Sequence, residues 1–175
     1  MNNKINIVLF GIGNVGSALI NKVLKNRKEL AIESKLDFRF PVITNSSVAF
    51  FEKEGANFSW EANFIQFNVP FKLEDVMYYI LANNMSNVII VDATADSSLV
   101  KKYPILLQNG FSLLSVNKEV QNISAGLKEE INMAAGIYGT GYKFMENVKG
   151  DKHIAAQKIY DALIEMAEKY KALVL

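Results

Sequence analysis

Lys4-Ile5-Asn6-Ile7-Val8-Leu9-Phe10-Gly11-Ile12-Gly13-Asn14-Val15-Gly16 decides the fold. The run from Lys4 to Phe10 is apolar and rich in β-branched residues, the pattern of a buried parallel strand. Three glycines then turn the chain. Behind them Val15, Ala18, Leu19 and Val23 recur at helical spacing. A strand, a G-x-G-x-x-G turn and a helix in immediate succession form a dinucleotide-binding fingerprint. Gly11 makes the tight turn, Gly13 lets a pyrophosphate approach the backbone, and Gly16 lets helix pack on strand. The helix start then presents unpaired N–H groups and a positive dipole end to the phosphates. Ile12, Asn14 and Val15 belong to the same cradle.

The rest of the composition sets bounds. The chain has 175 residues, half of them hydrophobic and 21% charged, which suits one globular domain with a full core. A formal net charge of +1 gives no electrostatic case for nucleic acid or a membrane surface. Phe50, Phe51, Phe58, Trp60, Phe64 and Phe67 supply aromatics without the basic groove that base stacking needs. With no cysteine and one histidine, thiolate chemistry and metal-ligand constellations are excluded and a cytoplasmic location is expected. Gly11, Gly13 and Asn14 interrupt the first apolar run, so it reads neither as a signal peptide nor as a membrane span.

Taken in order, a helix is expected over 14–33 and a second strand over 36–44, with Pro41 marking an edge or a bulge. Residues 48–70 read as a loop and short helix packed over the sheet. A helix follows over 72–84 with Leu73, Val76, Met77, Ile80 and Leu81 inward. A buried strand over 88–93 ends in Thr94, placing Thr94 and Ala95 at the edge of a ligand bound across the strand ends. One helix is expected over 95–109, with Lys101-Lys102 on a solvated face, then a strand over 111–116 that delivers Asn117-Lys118. Ala155, Ile159, Ala162, Leu163, Met166 and Tyr170 form the apolar stripe of a final helix. These elements predict an α/β Rossmann-like, doubly wound and mostly parallel sheet with the C-terminal helix packing back on it. The second strand ends in Thr44-Asn45-Ser46-Ser47, with no acid to bind ribose hydroxyls. Asn45 and Ser46 can hydrogen-bond either a hydroxyl or a 2′-phosphate, a slight lean to NADP over NAD; a Ser/Asn-rich turn is the equal alternative.

Four segments together resemble the nucleotide-binding domain of homoserine dehydrogenase, in the form fused to aspartate kinase. They are Gly11–Gly16, Thr44–Ser47, Val91-Asp92-Ala93-Thr94-Ala95-Asp96, and Gly110-Phe111 through Asn117-Lys118. The resemblance implies hydride transfer between NAD(P)H and aspartate semialdehyde or homoserine, as part of amino-acid biosynthesis. It places Asn117 and Lys118 beside the nicotinamide and gives the matching lysine a part in proton transfer. Position 119, often a second lysine in the fused form, is Glu119 here.

The resemblance also sets the expected domain layout within a single domain, 1–175. Residues 1–120 are the main body and 121–137 a short connection standing where the family has its substrate and dimerisation domain. Residues 138–175 are a returning segment that starts at Tyr138-Gly139-Thr140-Gly141 and ends in the final helix. On this reading full activity from the chain alone is not expected. A homo-oligomer or partner chain would supply the substrate-binding residues. A non-catalytic nucleotide-binding module, or a structural paralogue with its groove filled by Tyr142 or Phe144, stays open beside the enzyme. His153 reads as a surface residue near a helix start.

Overall fold

The structure, a computed structural model, describes residues 1–148 and 150–172; the outer bound of the expected domain, at 173–175, lies outside the described residues. Its elements are β1 (Asn3–Phe10), α1 (Asn14–Ser34), β2 (Leu36–Thr44), β3 (Val48–Phe51), α2 (Trp60–Phe67), β4 (Val69–Pro70) and α3 (Leu73–Ala82). After these come β5 (Val88–Asp92), α4 (Ser97–Val100), α5 (Tyr103–Gln108), β6 (Ser112–Ser115), α6 (Ala125–Ile137), β7 (Tyr142–Phe144) and α7 (Lys152–Ala172). A short 3-10 turn, Lys118–Asn122, follows β6.

The strands form a single sheet in the order β4-β3-β2-β1-β5-β6-β7. β2, β1, β5, β6 and β7 run parallel, while β3 and β4 add an antiparallel margin. The chain steps outward from β1 to β2 and returns to place β5 on the other side of β1. That reversal is the switch point at which open α/β sheets bind ligands.

Alternation along β1 builds both cores. Ile5, Ile7 and Leu9 point to the layer of α1, α2 and α7, and Val8 and Phe10 to the layer of α3, α4, α5 and α6. The final helix docks as its stripe predicts. Ala155, Ile159, Ala162, Leu163 and Met166 are buried, and the helix lies against α1 and β1.

The structure departs from the sequence expectation in two places, at 48–70 and at 95–109, and sharpens it in others. The 48–70 stretch includes the predicted short helix, α2, but also a β-hairpin partner: Asn45 Oδ1 accepts from Ser47 N and Val48 N, both at 2.8 Å, and turns the chain back along β2. β3 and β4 are too short to show a period of two. Pro70 sits in the edge strand, where a missing N–H is tolerated.

Pro41 marks a bulge and not an edge, since the β1–β2 register slips between Asn6 and Val8 while β2 stays inside the sheet. The helix expected over 95–109 is broken into α4 and α5 because the Pro104 ring displaces the carbonyl of Val100, four residues back. Leu99, Val100, Tyr103, Leu106 and Leu107 are nonetheless all buried.

Residues 121–137 are mostly helical as expected, but α6 is the crossover that carries the chain from β6 to the parallel strand β7. Tyr138–Gly141, read as the start of a returning segment, is the turn between α6 and β7.

Candidate functional site

Each glycine has a distinct geometry. Gly11 has φ +96°, and a Cβ there would stand 2.6 Å from the Ala93 carbonyl oxygen. A Cβ on Gly16 would run into the Gly11 carbonyl oxygen. A Cβ on Gly13 would meet nothing within 4 Å. Gly11 and Gly16 are thus required by the protein, whereas Gly13 faces open space at the first residue before α1. No side chain caps α1 and no acid stands in its first turn. Its N-terminal N–H groups and positive dipole end are therefore available to an anion.

The open space is a groove of about 560 Å³ running from Gly11, Ile12 and Gly13 past Asn45 and Ser46. Phe71, Leu73 and Leu99 form its apolar walls, and Thr94, Ala95, Asp96 and Lys102 its far rim. Across Ala93, which lines both, lies a second hollow of about 480 Å³. Val15, Val116, Lys118, Gln121 and Phe144 line it. Together they form a trough across the carboxyl ends of β1, β5 and β6. Neither Tyr142 nor Phe144 lines the first hollow; Phe144 is a wall of the second.

Behind the trough sits a buried polar knot. Asp92, with no solvent exposure, ends β5. Its Oδ1 accepts from Thr94 N at 2.9 Å and Thr94 Oγ1 at 2.7 Å. Its Oδ2 accepts from the Tyr103 hydroxyl and from Asn117 Nδ2 at 3.0 Å. Tyr103 also shares a 2.7 Å hydrogen bond with Ser115 Oγ, and Ser115 Oγ accepts from Asn117 N at 3.1 Å. Burial, then the charge and hydrogen bond of Asp92, hold the Tyr103 hydroxyl well above its ordinary range, so it stays a donor. Burial and the Asp92 charge push Tyr142 up to about 12.

This changes the standing of Asn117. It is wholly buried, and Nδ2 is spent on Asp92 and on the Asp96 carbonyl at 3.0 Å, while Oδ1 accepts from Glu119 N at 3.0 Å. It lines neither hollow and positions Thr94 and Lys118 instead. Lys118 is exposed and lines the second hollow; Gly11, Ile12, Gly13, Asn45, Ser46, Thr94 and Ala95 line the first. Asn14 opens toward a separate polar crevice between α1 and α7, and Gly16 is buried beneath the turn. His153 is exposed, its N–H bonded to Asp151.

Asp92, Tyr103, Ser115 and Phe71 were not read as site residues from the sequence, and Lys102 was read only as part of a solvated face. The only available signal was that two apolar strands end in polar residues. Among the described residues no group of three His, Cys, Asp or Glu could hold a metal ion, and no helix is long and apolar enough to cross a membrane.

A switch-point trough, a glycine turn with one glycine facing open space and an uncapped helix start define a dinucleotide-binding α/β domain. The family model described as the homoserine dehydrogenase NAD binding domain matches residues 11–142, and the chain belongs to that family. The match runs through 121–137 and the Tyr138–Gly141 turn.

The chain is 26% identical over 145 residues to the bifunctional aspartokinase/homoserine dehydrogenase of Buchnera aphidicola, covering 82% of this chain and 18% of that protein. It is 28% identical over 121 residues to that of Haemophilus influenzae, covering 67% and 15%. The chain thus spans less than a fifth of the length of these relatives.

In fold it is similar to Staphylococcus aureus homoserine dehydrogenase, with TM-score 0.61, 22% identity, and 86% and 34% of the two chains covered. It is equally similar to a hyperthermophilic archaeal homoserine dehydrogenase solved in complex with NADPH, with TM-score 0.61, 20% identity, and 81% and 44% covered.

Proposed function

We propose that this chain binds a nicotinamide dinucleotide, NADP in preference to NAD, and forms the cofactor half of a site that interconverts aspartate semialdehyde and homoserine. The observation that carries the reading is Gly13. It is the one glycine of the turn whose Cβ the protein has room for, and it lies before an uncapped helix. Backbone N–H groups at Asn14 and Val15 would hold the pyrophosphate. Phe71, Leu73 and Leu99 offer faces for an adenine, and Asn45 and Ser46 edge the ribose. The hollow at Val15, Val116 and Lys118 fits the nicotinamide end.

Bound there, the nicotinamide supplies or takes the hydride that converts the aldehyde carbon to an alcohol and back. Lys118 sets an ammonium at the carbonyl oxygen. It would give that oxygen a proton in the reductive direction and take it back in the reverse direction. Asn117 holds the backbone that carries Lys118, and Phe144 and Val116 keep water from one side of the hollow.

Substrate-orienting groups come from outside this chain, in a partner or in the part of the enzyme that the curated relatives have and this chain does not span. We place the join to that part between β7 and α7, because β7 is an integral strand of the sheet. Glu119, an acid where the resemblance expects a second lysine, favours a second reading, a cofactor-binding module without turnover.

Acylation footprinting tests the proposal. NADPH is expected to slow modification of Lys118 severalfold and to leave Lys101 unchanged. Equal rates for Lys118 with and without saturating NADPH would overturn its place at the nicotinamide. Turnover of aspartate semialdehyde by the chain mixed with a separate substrate domain would separate the enzyme from the module.

A further inference from the structure

We infer that Lys102 is the residue that selects the 2′-phosphate of NADP, so that the cation reading the adenosine ribose comes from the α4–α5 break and not from the end of β2. The inference rests on the dinucleotide reading of the trough and names the specificity of its adenosine half. A groove that prefers NAD places an acid at the end of the second strand. Here that position is Thr44-Asn45-Ser46-Ser47. The Asn45 side-chain oxygen is also committed, accepting from Ser47 N and Val48 N. What remains there are neutral donors, the Asn45 amide nitrogen and the exposed hydroxyl of Ser46, which can donate to a phosphate but cannot balance its charge.

The charge is supplied across the groove. Among the described residues lining it, Lys102 is the only cation. The single carboxylate there, Asp96, caps α4 by accepting from Ser98 N at 2.8 Å and Ser98 Oγ at 2.7 Å. Lys102 reaches the groove because Pro104 breaks the helix. The residue is held in the bend by its N–H to Leu99 O at 2.9 Å, while Lys101 beside it does not line the groove. A flexible ammonium in the same groove as an exposed hydroxyl suits a dianionic phosphate group and gains little from a neutral ribose.

The test titrates the chain and its Lys102→Met, Lys102→Arg and Lys101→Met variants with NADPH, NADH, 2′,5′-ADP and 5′-AMP, with circular dichroism to show that each variant folds. The parent is expected to bind NADPH at least about tenfold tighter than NADH, the scale of one charge-assisted hydrogen bond. Lys102→Met should remove about tenfold from NADPH and 2′,5′-ADP and leave NADH and 5′-AMP within about twofold. Lys102→Arg and Lys101→Met should keep the preference. A parent with no preference, or a Lys102→Met variant whose NADPH to NADH ratio is unchanged, would overturn the assignment while leaving the dinucleotide site intact. A parent that binds none of the four would overturn the trough reading and this inference with it.

Discussion

The two rims of the trough are built by opposite means. At the end of β1 the site is made by leaving side chains out: Gly11 fits only because nothing projects toward Ala93, and Gly16 only because nothing projects toward the Gly11 carbonyl. At the ends of β5 and β6 it is made by burying side chains, with Asp92, Tyr103, Ser115 and Asn117 closing a hydrogen-bonded knot. The first device leaves backbone N–H groups facing an anion. The second fixes the loops that carry Thr94 and Lys118. At Gly11 and Gly16 the turn tolerates no addition, whereas a buried knot tolerates no subtraction, because each donor left behind loses water and gains no partner.

Removing the centre of the knot should have the largest effect. Asp92→Ala strips the acceptor from Thr94 N, Thr94 Oγ1, Tyr103 and Asn117. It is expected to lower stability by about 4 kcal/mol, read by urea denaturation, with Asp92→Asn recovering part of the loss. Gly16→Ala tests the opposite device. Its added methyl meets backbone that cannot step aside, for an expected loss of about 3 kcal/mol. If the alanine were neutral, the close approach of α1 to the turn would be wrong. Tyr103→Phe leaves Asp92 with its other donors and should cost about 1.5 kcal/mol.

The smallest effect belongs to a control away from both rims. Burial pushes the Asp37 carboxyl up, but hydrogen bonds and charges from Arg27 at 2.6 Å and Arg39 at 2.8 Å outweigh it and hold the group below its ordinary 3.8. These pairs stabilise fully above that value and lose their contribution as pH falls through the lower folded value. Asp37→Asn should cost about 1 kcal/mol at pH 7 and flatten the acid limb of the stability curve. It should change no dinucleotide affinity.

The same contrast explains what could be read in advance. The glycine turn is contiguous, so its requirement for absent side chains shows as a spacing, and the parallel sheet, the switch point and the docking of α7 follow from strand and helix periods around it. The knot draws on positions 92, 94, 103, 115 and 117, which become neighbours only once β5 and β6 pair. Asn117 stood out beside Lys118 as a ligand residue through the resemblance alone, although its side chain is bonded within the knot. Lys102 looked like a solvated charge because the break at Pro104 is a local steric event inside an otherwise helical pattern. β3, β4 and β7 escaped because runs of two to four residues carry no legible period.

Calorimetric titration of the chain with NADPH, beside Gly13→Glu, tests the central claim most directly. The glutamate puts a carboxylate where the pyrophosphate would lie and touches no protein atom at its Cβ. The account predicts saturable one-to-one binding by the parent, and at least about a hundredfold weakening in the variant with an unchanged melting temperature. Equal affinity in parent and variant, or no binding by the parent, would contradict it.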